Sequence, residues 1–529
     1  MSSWQRFARL AARLVPGVQP EPDGEAIELG SLNNDGTPAD ASALPPPPST
    51  PHPREIERLA REAFRRIDCR MLSFVVITLF VVELDRVLFT LYKSYFEVVL
   101  GLTATQYSTI VLAREIGYIL GQIPSNFMLN MFEKPEIYFG VITYSWAALQ
   151  MLRASMTGFT TVFVGFLISG ILESAFLYPS REIGKKVGLL VSIPPIVRIL
   201  LAAAGEPVPG DLSLRYRIYL TGLGGILITF YTLCLQDKPN LPRSTRWLQE
   251  AERRVILSSL AESYGWPHPD SYENEQKSFS SSVKGFLLAS IDSKTWILAA
   301  ICFCVSFPIT WLSDLRHLIQ ILLPITEYSL ISIAVSATLI LSLCAAYIGG
   351  FVTSIFKKRG LIIAIAQGLA FLGCGTILQT VFIVSTVKVP GPAQFLFLAA
   401  FISLPAAYLS LATALTWALN CMPWDQSKRA ACIAIVTTLL STTNIFAIFL
   451  PPLDTREEGR SLNKTLVGLL MILIIGTLGS VLLLRLTLHE ANEWLNRNNE
   501  PNPQPNLHAG RWSRDARFHD PGHTFRFPI

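Results

Sequence analysis

From Met71 to about Leu488 the chain is a series of long apolar segments, broken by one wide polar interval from about Asp237 to Ser293. Each segment reaches the roughly 20 residues that a helix needs to cross a bilayer. The pattern predicts spans at 71–92, 106–131, 137–154, 160–180, 187–204 and 216–236 before the interval. After it come spans at 295–314, 327–356, 360–386, 394–419, 429–450 and 465–487. The fifth is short and holds Pro194 and Pro195, and the seventh is interrupted by Pro308. The expected fold is all-α: a polytopic membrane protein of 12 transmembrane helices in two six-helix bundles, 71–236 and 294–487. Such a layout suits a carrier with its path between the halves. The polar interval, 237–293, becomes a cytoplasmic loop, and 1–70 and 488–529 become mostly disordered cytoplasmic tails.

Composition agrees with the pattern. Half the residues are hydrophobic and 16% are charged, against about a quarter charged in soluble domains. The net charge of +5 is dispersed. No basic strip interleaved with aromatics is present, which argues against a nucleic-acid partner. Eight cysteines lie in or beside apolar runs without CxxC spacing, so they read as small buried hydrophobes. No cofactor or metal is expected, and the expected state is a monomer among lipids.

Orientation follows from basic residues beside the spans. Arg54, Arg58, Arg61, Arg65, Arg66 and Arg70 precede the first span, and Arg243, Arg246, Arg253 and Arg254 lie in the central interval. Both ends are therefore expected in the cytoplasm, with the plasma membrane as the default location. Arg456, Arg460 and Lys464 fall on the opposite side and weaken the bias. Ser2–Val15 reads either as a basic amphipathic surface helix or as part of a disordered tail. Asn463-Lys464-Thr465 is a sequon placed just before the twelfth span.

Ionisable groups within spans are costly, and each is a functional candidate. The first span holds Glu83, Asp85 and Arg86, the second Arg114 and Glu115, the fourth Glu173, and the fifth Arg198. Two readings stand side by side. In one, an arginine binds an anionic substrate bidentately and a desolvated carboxylate carries a coupling proton. In the other, Glu173 pairs statically with Arg114 or Arg198 to fix the packing. Gly170, Ser174 and Ala175 around Glu173 permit close helix approach. The second half offers Trp417, Asn420 and Asn444 at depth, with Asp314, Arg316 and Trp311 near the end of the seventh span. Trp417 reads as an interfacial anchor or a stacking ring, and Asn420 as a ligand or a cap.

The segments RRIDCRMLSFVVITLFVVELDR, GLTATQYSTIVLAREIGYILGQIPSNFML, GILESAFLYPS, DSKTWILAAICFC and TWALNCMPWDQSKRAACIAIVTTLLSTTNI carry a family pattern in order over about 64–487. They resemble the anion:cation symporters of the major facilitator superfamily, the allantoate, nicotinate and pantothenate permease-like carriers. The resemblance implies alternating access and movement of small organic anions or vitamin-like carboxylates, usually with protons. It matches Asp85 and Arg86 to a first-helix pair, Gly117, Tyr118, Pro124, Ser125 and Asn126 to a second-helix segment, and Glu173 to a fourth-helix acid. Asn420, Lys428 and Arg429 match the region of helices 10 and 11. The chain departs from the family at Phe166, where an arginine is usual, and at Arg114 and Glu115, where apolar or aromatic residues are usual.

The candidate substrate ligands are therefore Arg86, Arg114, Arg198, Asn126, Trp417 and Asn420. The candidate proton carriers are Asp85, Glu115 and Glu173. Alternatives are an exporter of a specialised metabolite and a transport-inactive receptor or scaffold. A membrane enzyme is disfavoured because all histidines except His317 lie in the tails or central interval.

Overall fold

The computed structural model describes residues 53–93, 95–131, 135–176, 183–204, 219–220, 222–227, 279–312, 328–356, 358–386, 393–421, 426–449 and 457–498. Among these residues there is no strand. The chain forms two compact units, 1–69 with 241–275 and 70–240 with 276–529. In the first, the described residues are 53–69, the opening turns of a long helix. The second holds every other described residue.

In the first half the helices are α1 (Pro53–Leu91), α2 (Ala104–Met131), α3 (Pro135–Arg153), α4 (Phe159–Glu173), α5 (Ile183–Val191) and α6 (Ile193–Ala204). Pro53 and Pro135 open α1 and α3, where a helix needs no donor N–H. Gly158 precedes α4 at φ 82, in the left-handed region that a side chain disfavours. A single expected fifth span becomes α5 and α6 because Pro194 and Pro195 cannot donate to the preceding turn. Of the sixth span, 219–220 and 222–227 are described, and they are helical.

In the second half the helices are α7 (Phe279–Ile291), α8 (Ser293–Leu312), α9 (Tyr328–Ile355), α10 (Arg359–Thr386), α11 (Ala393–Asn420), α12 (Gln426–Phe449) and α13 (Glu457–Asn498). Six of these, α8 to α13, are long and apolar enough to cross a membrane. They follow the expected spans closely, with two differences at the edges. The last part of the expected central loop is the helix α7. Helix α13 begins well before 465 and continues past 487 to Asn498, with Leu488 and Ala491 buried. Asn463 thus lies within a helix rather than a loop. The stretches 2–15, 237–278 and 499–529, and Asp314, Arg316 and His317, lie outside the described residues.

Each half encloses its own core. In the first, Phe89 meets Phe96, Tyr107 and Phe166 at centroid distances of 4.8, 5.0 and 4.2 Å. In the second, Leu298, Cys302, Ile363, Trp417, Cys432 and Leu484 pack together. Between the halves, α2 packs against α12, α5 against α9 and α11, and α6 against α9. Phe127 of α2 also meets Phe286 of α7, with ring centroids 5.8 Å apart.

Candidate functional site

The charges of the first half converge because α2 and α4 approach closely. A Cβ on Gly170 would run into the backbone carbonyl of Arg114 and lie 2.8 Å from the backbone nitrogen of Tyr118. One on Gly117 would strike the Leu167 carbonyl. With glycine at these points the helix backbones touch, and the arginine on one reaches the acid on the other.

Arg114 clamps Glu173 with two bonds, Nη2 to Oε1 at 2.8 Å and Nε to Oε2 at 3.2 Å. Its Nη2 also lies 3.1 Å from Asp85 Oδ2. Glu173 further accepts from Ser169 Oγ at 2.9 Å, Trp146 Nε1 at 3.4 Å and Arg86 Nη2 at 3.4 Å. Asp85 Oδ2 accepts from Arg153 Nη1 at 3.0 Å and Gln150 Nε2 at 3.3 Å. Both carboxylates are buried, and each is compensated by arginines, as burial of charge requires.

Arg153, Gln150 and Trp146 are network members that sequence reasoning did not single out. Arg153 closes α3, where a basic residue ordinarily reads as reaching for the membrane surface. Instead its guanidinium carbon lies 3.8 Å from the Phe166 ring centroid. Phe166 is the position where the resemblance calls for an arginine.

Arg86 is held more loosely. Its side chain is 26% exposed, its Glu173 bond is long, and its Nε is buried without a hydrogen-bond partner among the described residues. Its guanidinium carbon stands 5.3 Å from the Tyr118 ring centroid. Arg198, on α6, has no described bond to the cluster, and its buried Nη1 has no hydrogen-bond partner among the described residues. It lies within electrostatic reach of the fully buried Tyr408 on α11, as does Glu83. Glu83 also acts on Arg86. Glu83 thus acts electrostatically on Arg86 in its own bundle and on Tyr408 in the other.

Glu115 and Asn444 meet across the bundles, with Asn444 Nδ2 donating to Glu115 Oε2 at 3.0 Å. About two turns along the same helices, Thr437 Oγ1 donates to Gln122 Oε1 at 3.1 Å. The remaining candidates stand apart from this cluster. Asn126 donates to the Gln122 carbonyl at 2.8 Å, and Asn420 to the Thr416 carbonyl at 2.9 Å at the end of α11. Trp417 is fully enclosed in the second core, so it is a packing residue there and not an interfacial ring.

At the end of the second bundle, Asp292 caps α8 by accepting the Lys294 N–H at 3.0 Å. Its other oxygen lies 3.0 Å from Lys428 Nζ and 3.8 Å from Lys294 Nζ. Burial pushes its carboxyl up, but the two ammonium groups outweigh that and hold it below its ordinary value of 3.8.

No protein-family model matches the chain. The chain is 24% identical over 225 residues to a protein of Agrobacterium vitis named as a tartrate transporter, covering 38% of this chain and 48% of that one. It is 23% identical over 217 residues to a quinolone resistance transporter of Acinetobacter baumannii, covering 38% and 49%. It is 23% identical over 191 residues to a protein of Escherichia coli K12 named as a galactarate/D-glucarate transporter, covering 32% and 41%. The chain thus spans about half the length of the curated relatives it matches. Among solved structures, the proton:xylose symporter XylE superposes with a TM-score of 0.55 at 13% identity, covering 79% of this chain and 96% of that one. The fold is the major facilitator fold of a multi-pass membrane protein.

Proposed function

We propose that the chain is a secondary carrier of small organic anions, coupled to protons and working by alternating access, in the manner of the anion:cation symporters. One observation carries this reading: Arg198 has a buried guanidinium nitrogen without a hydrogen-bond partner among the described residues, on a helix that packs against the opposite bundle. Buried donors are ordinarily satisfied, and a free guanidinium nitrogen suits a carboxylate. Arg86 has a second spare donor. Arg114 is committed to Glu173 and Asp85, so in this reading it builds the site and does not bind the solute.

Two arginines with unused donors favour a dianion over a monocarboxylate. The names of the tartrate and galactarate/D-glucarate transporters, both of dicarboxylates, support that class. Counterflow in liposomes tests the proposal. Purified protein loaded with L-tartrate or D-galactarate is expected to exchange the labelled anion saturably, and faster when the outside is acidified. Absence of exchange with both anions and with nicotinate, in folded protein, rejects it. A second reading, export of a specialised metabolite, draws on the likeness to the quinolone resistance transporter. Exchange of a planar zwitterion such as ciprofloxacin, without exchange of dicarboxylates, would favour it.

A further inference from the structure

We propose that the coupling proton is carried by Glu115, and that its bond to Asn444 transmits that proton's arrival to the packing of the two bundles. The proposal rests on the carrier reading above and chooses among its three candidate acids. Asp85 and Glu173 each accept bonds from two arginines within the first bundle. Protonating either breaks ion pairs that hold four helices of the first bundle together. Glu115 also feels the charge of Arg86, but it differs in its described hydrogen bond. Its described hydrogen bond comes from a neutral amide, and that amide belongs to the other bundle.

Asn444 is fixed in place from behind. Its Oδ1 accepts from Thr310 at 3.4 Å, and Thr310 and Ser306 of α8 both bond Thr443. Among the described residues, the charged and titratable groups in electrostatic reach of Glu115 include Arg86 of α1, which also interacts with Glu83 and Glu173, and Tyr118 on Glu115's own helix. From α12 the only charged residues are Lys428 and Arg429, at its far end, roughly 20 Å along the axis.

The chemistry is a simple proton addition. One Glu115 oxygen takes a proton from the aqueous side, and the carboxylate becomes a neutral acid. The charge-assisted bond to Asn444 becomes a neutral one, roughly half as strong. Arg86 loses one counter-charge and turns further toward an anion. Proton and anion therefore favour each other's binding, and linkage makes the effect reciprocal. The Gln122–Thr437 bond holds no titratable group and keeps the seam registered while Glu115 changes state.

The test is anion affinity at two pH values. In wild-type protein, L-tartrate or D-galactarate is expected to bind about tenfold more tightly at about pH 5.5 than at pH 7.5. Glu115→Gln is expected to flatten that ratio below about twofold, whereas Glu173→Gln keeps the slope in whatever protein folds. A Glu115→Gln protein with the wild-type slope overturns the proposal. If Glu115→Gln fails to fold, Glu115→Asp is used: a carboxylate one methylene shorter should keep a slope with a displaced midpoint, and an unmoved midpoint overturns the proposal. Wild-type protein that binds neither anion defeats the carrier reading instead. The latch is then read without a solute, from spin-label distances between exposed Val98 and Ile333 in a cysteine-free background. A pH-driven change in that distance that Glu115→Gln abolishes supports the latch. No change, or the same change in the variant, overturns it.

Discussion

Arg153 lies over Phe166, its guanidinium carbon 3.8 Å from the ring centroid, while its Nη1 bonds Asp85 at 3.0 Å. One residue thus meets an apolar ring and a buried acid at once. The ring stands where the resembling family carries a charge, and the charge comes from the neighbouring helix. Removing the arginine strips Asp85 of one of its two cations. Arg153→Met is expected to cost about 3–5 kcal/mol, the penalty for breaking a buried pair. Phe166→Leu, which keeps the ion pair, should cost about 1–2 kcal/mol. Thermal unfolding in detergent ranks the two. Equal costs would show that the ion pair carries no special weight.

The Arg114–Glu173 clamp calls for a double-mutant cycle. Each single replacement by alanine leaves a buried charge uncompensated and is expected to cost about 3–5 kcal/mol. The double replacement should cost less than the sum by about 1–3 kcal/mol. Additive losses in unfolding midpoint would mean the two groups do not act as a pair.

Gly170→Ala should separate α2 from α4, because the new methyl would meet the Arg114 carbonyl. The expected loss is about 1–3 kcal/mol. Gly222→Ala, with nothing within 4 Å of the added carbon, serves as the neutral comparison. A Gly170 variant as stable as the Gly222 variant would refute the close-contact argument.

Asp292 gives a signed pH dependence. Its carboxyl is held below 3.8 in the fold, so its pairing stabilises above about pH 4 and is lost as pH falls through the depressed value. Wild-type stability should therefore drop more steeply on acidification below about pH 4 than that of Asp292→Asn. Superimposable acid limbs in a pH series of unfolding midpoints would count against the pairing of Asp292 with Lys294 and Lys428.

Arg198→Ala separates binding from folding. It should raise KM for the exchanged anion roughly 10- to 100-fold, the worth of one or two charged hydrogen bonds. Its unfolding midpoint should fall less than that of Arg114→Ala, because the removed Nη1 has no hydrogen-bond partner among the described residues whereas Arg114 holds two buried acids. An unchanged KM would remove Arg198 from the site.

Much of the fold was legible because membrane spans announce themselves locally. Apolar length alone located α8 to α12 to within a few residues, whereas the single span expected over 187–204 hid the break between α5 and α6 beside Pro194 and Pro195. The cost of burying charge flagged Asp85, Arg86, Arg114, Glu115 and Glu173 before any contact was known. Pairing was not legible, because helical period gives a residue's face but not its partner. Arg153 was hidden by its place at a helix end, where arginine usually meets water. Trp417 was misleading for the same reason: nearness to a helix end suggested the interface, yet it is fully buried within the second core. Asn444 read as one polar residue among apolar ones, and its partner lies 329 positions away.

A single oxygen of Asp85 receives Arg114, Arg153 and Gln150. Those positions are therefore not free to drift one by one. Losing any one of them leaves that oxygen short of a partner, a cost in stability that a second change would have to offset. Within close relatives of this protein these four residues should be inherited together or exchanged together, and their joint presence would identify its descendants better than overall likeness does.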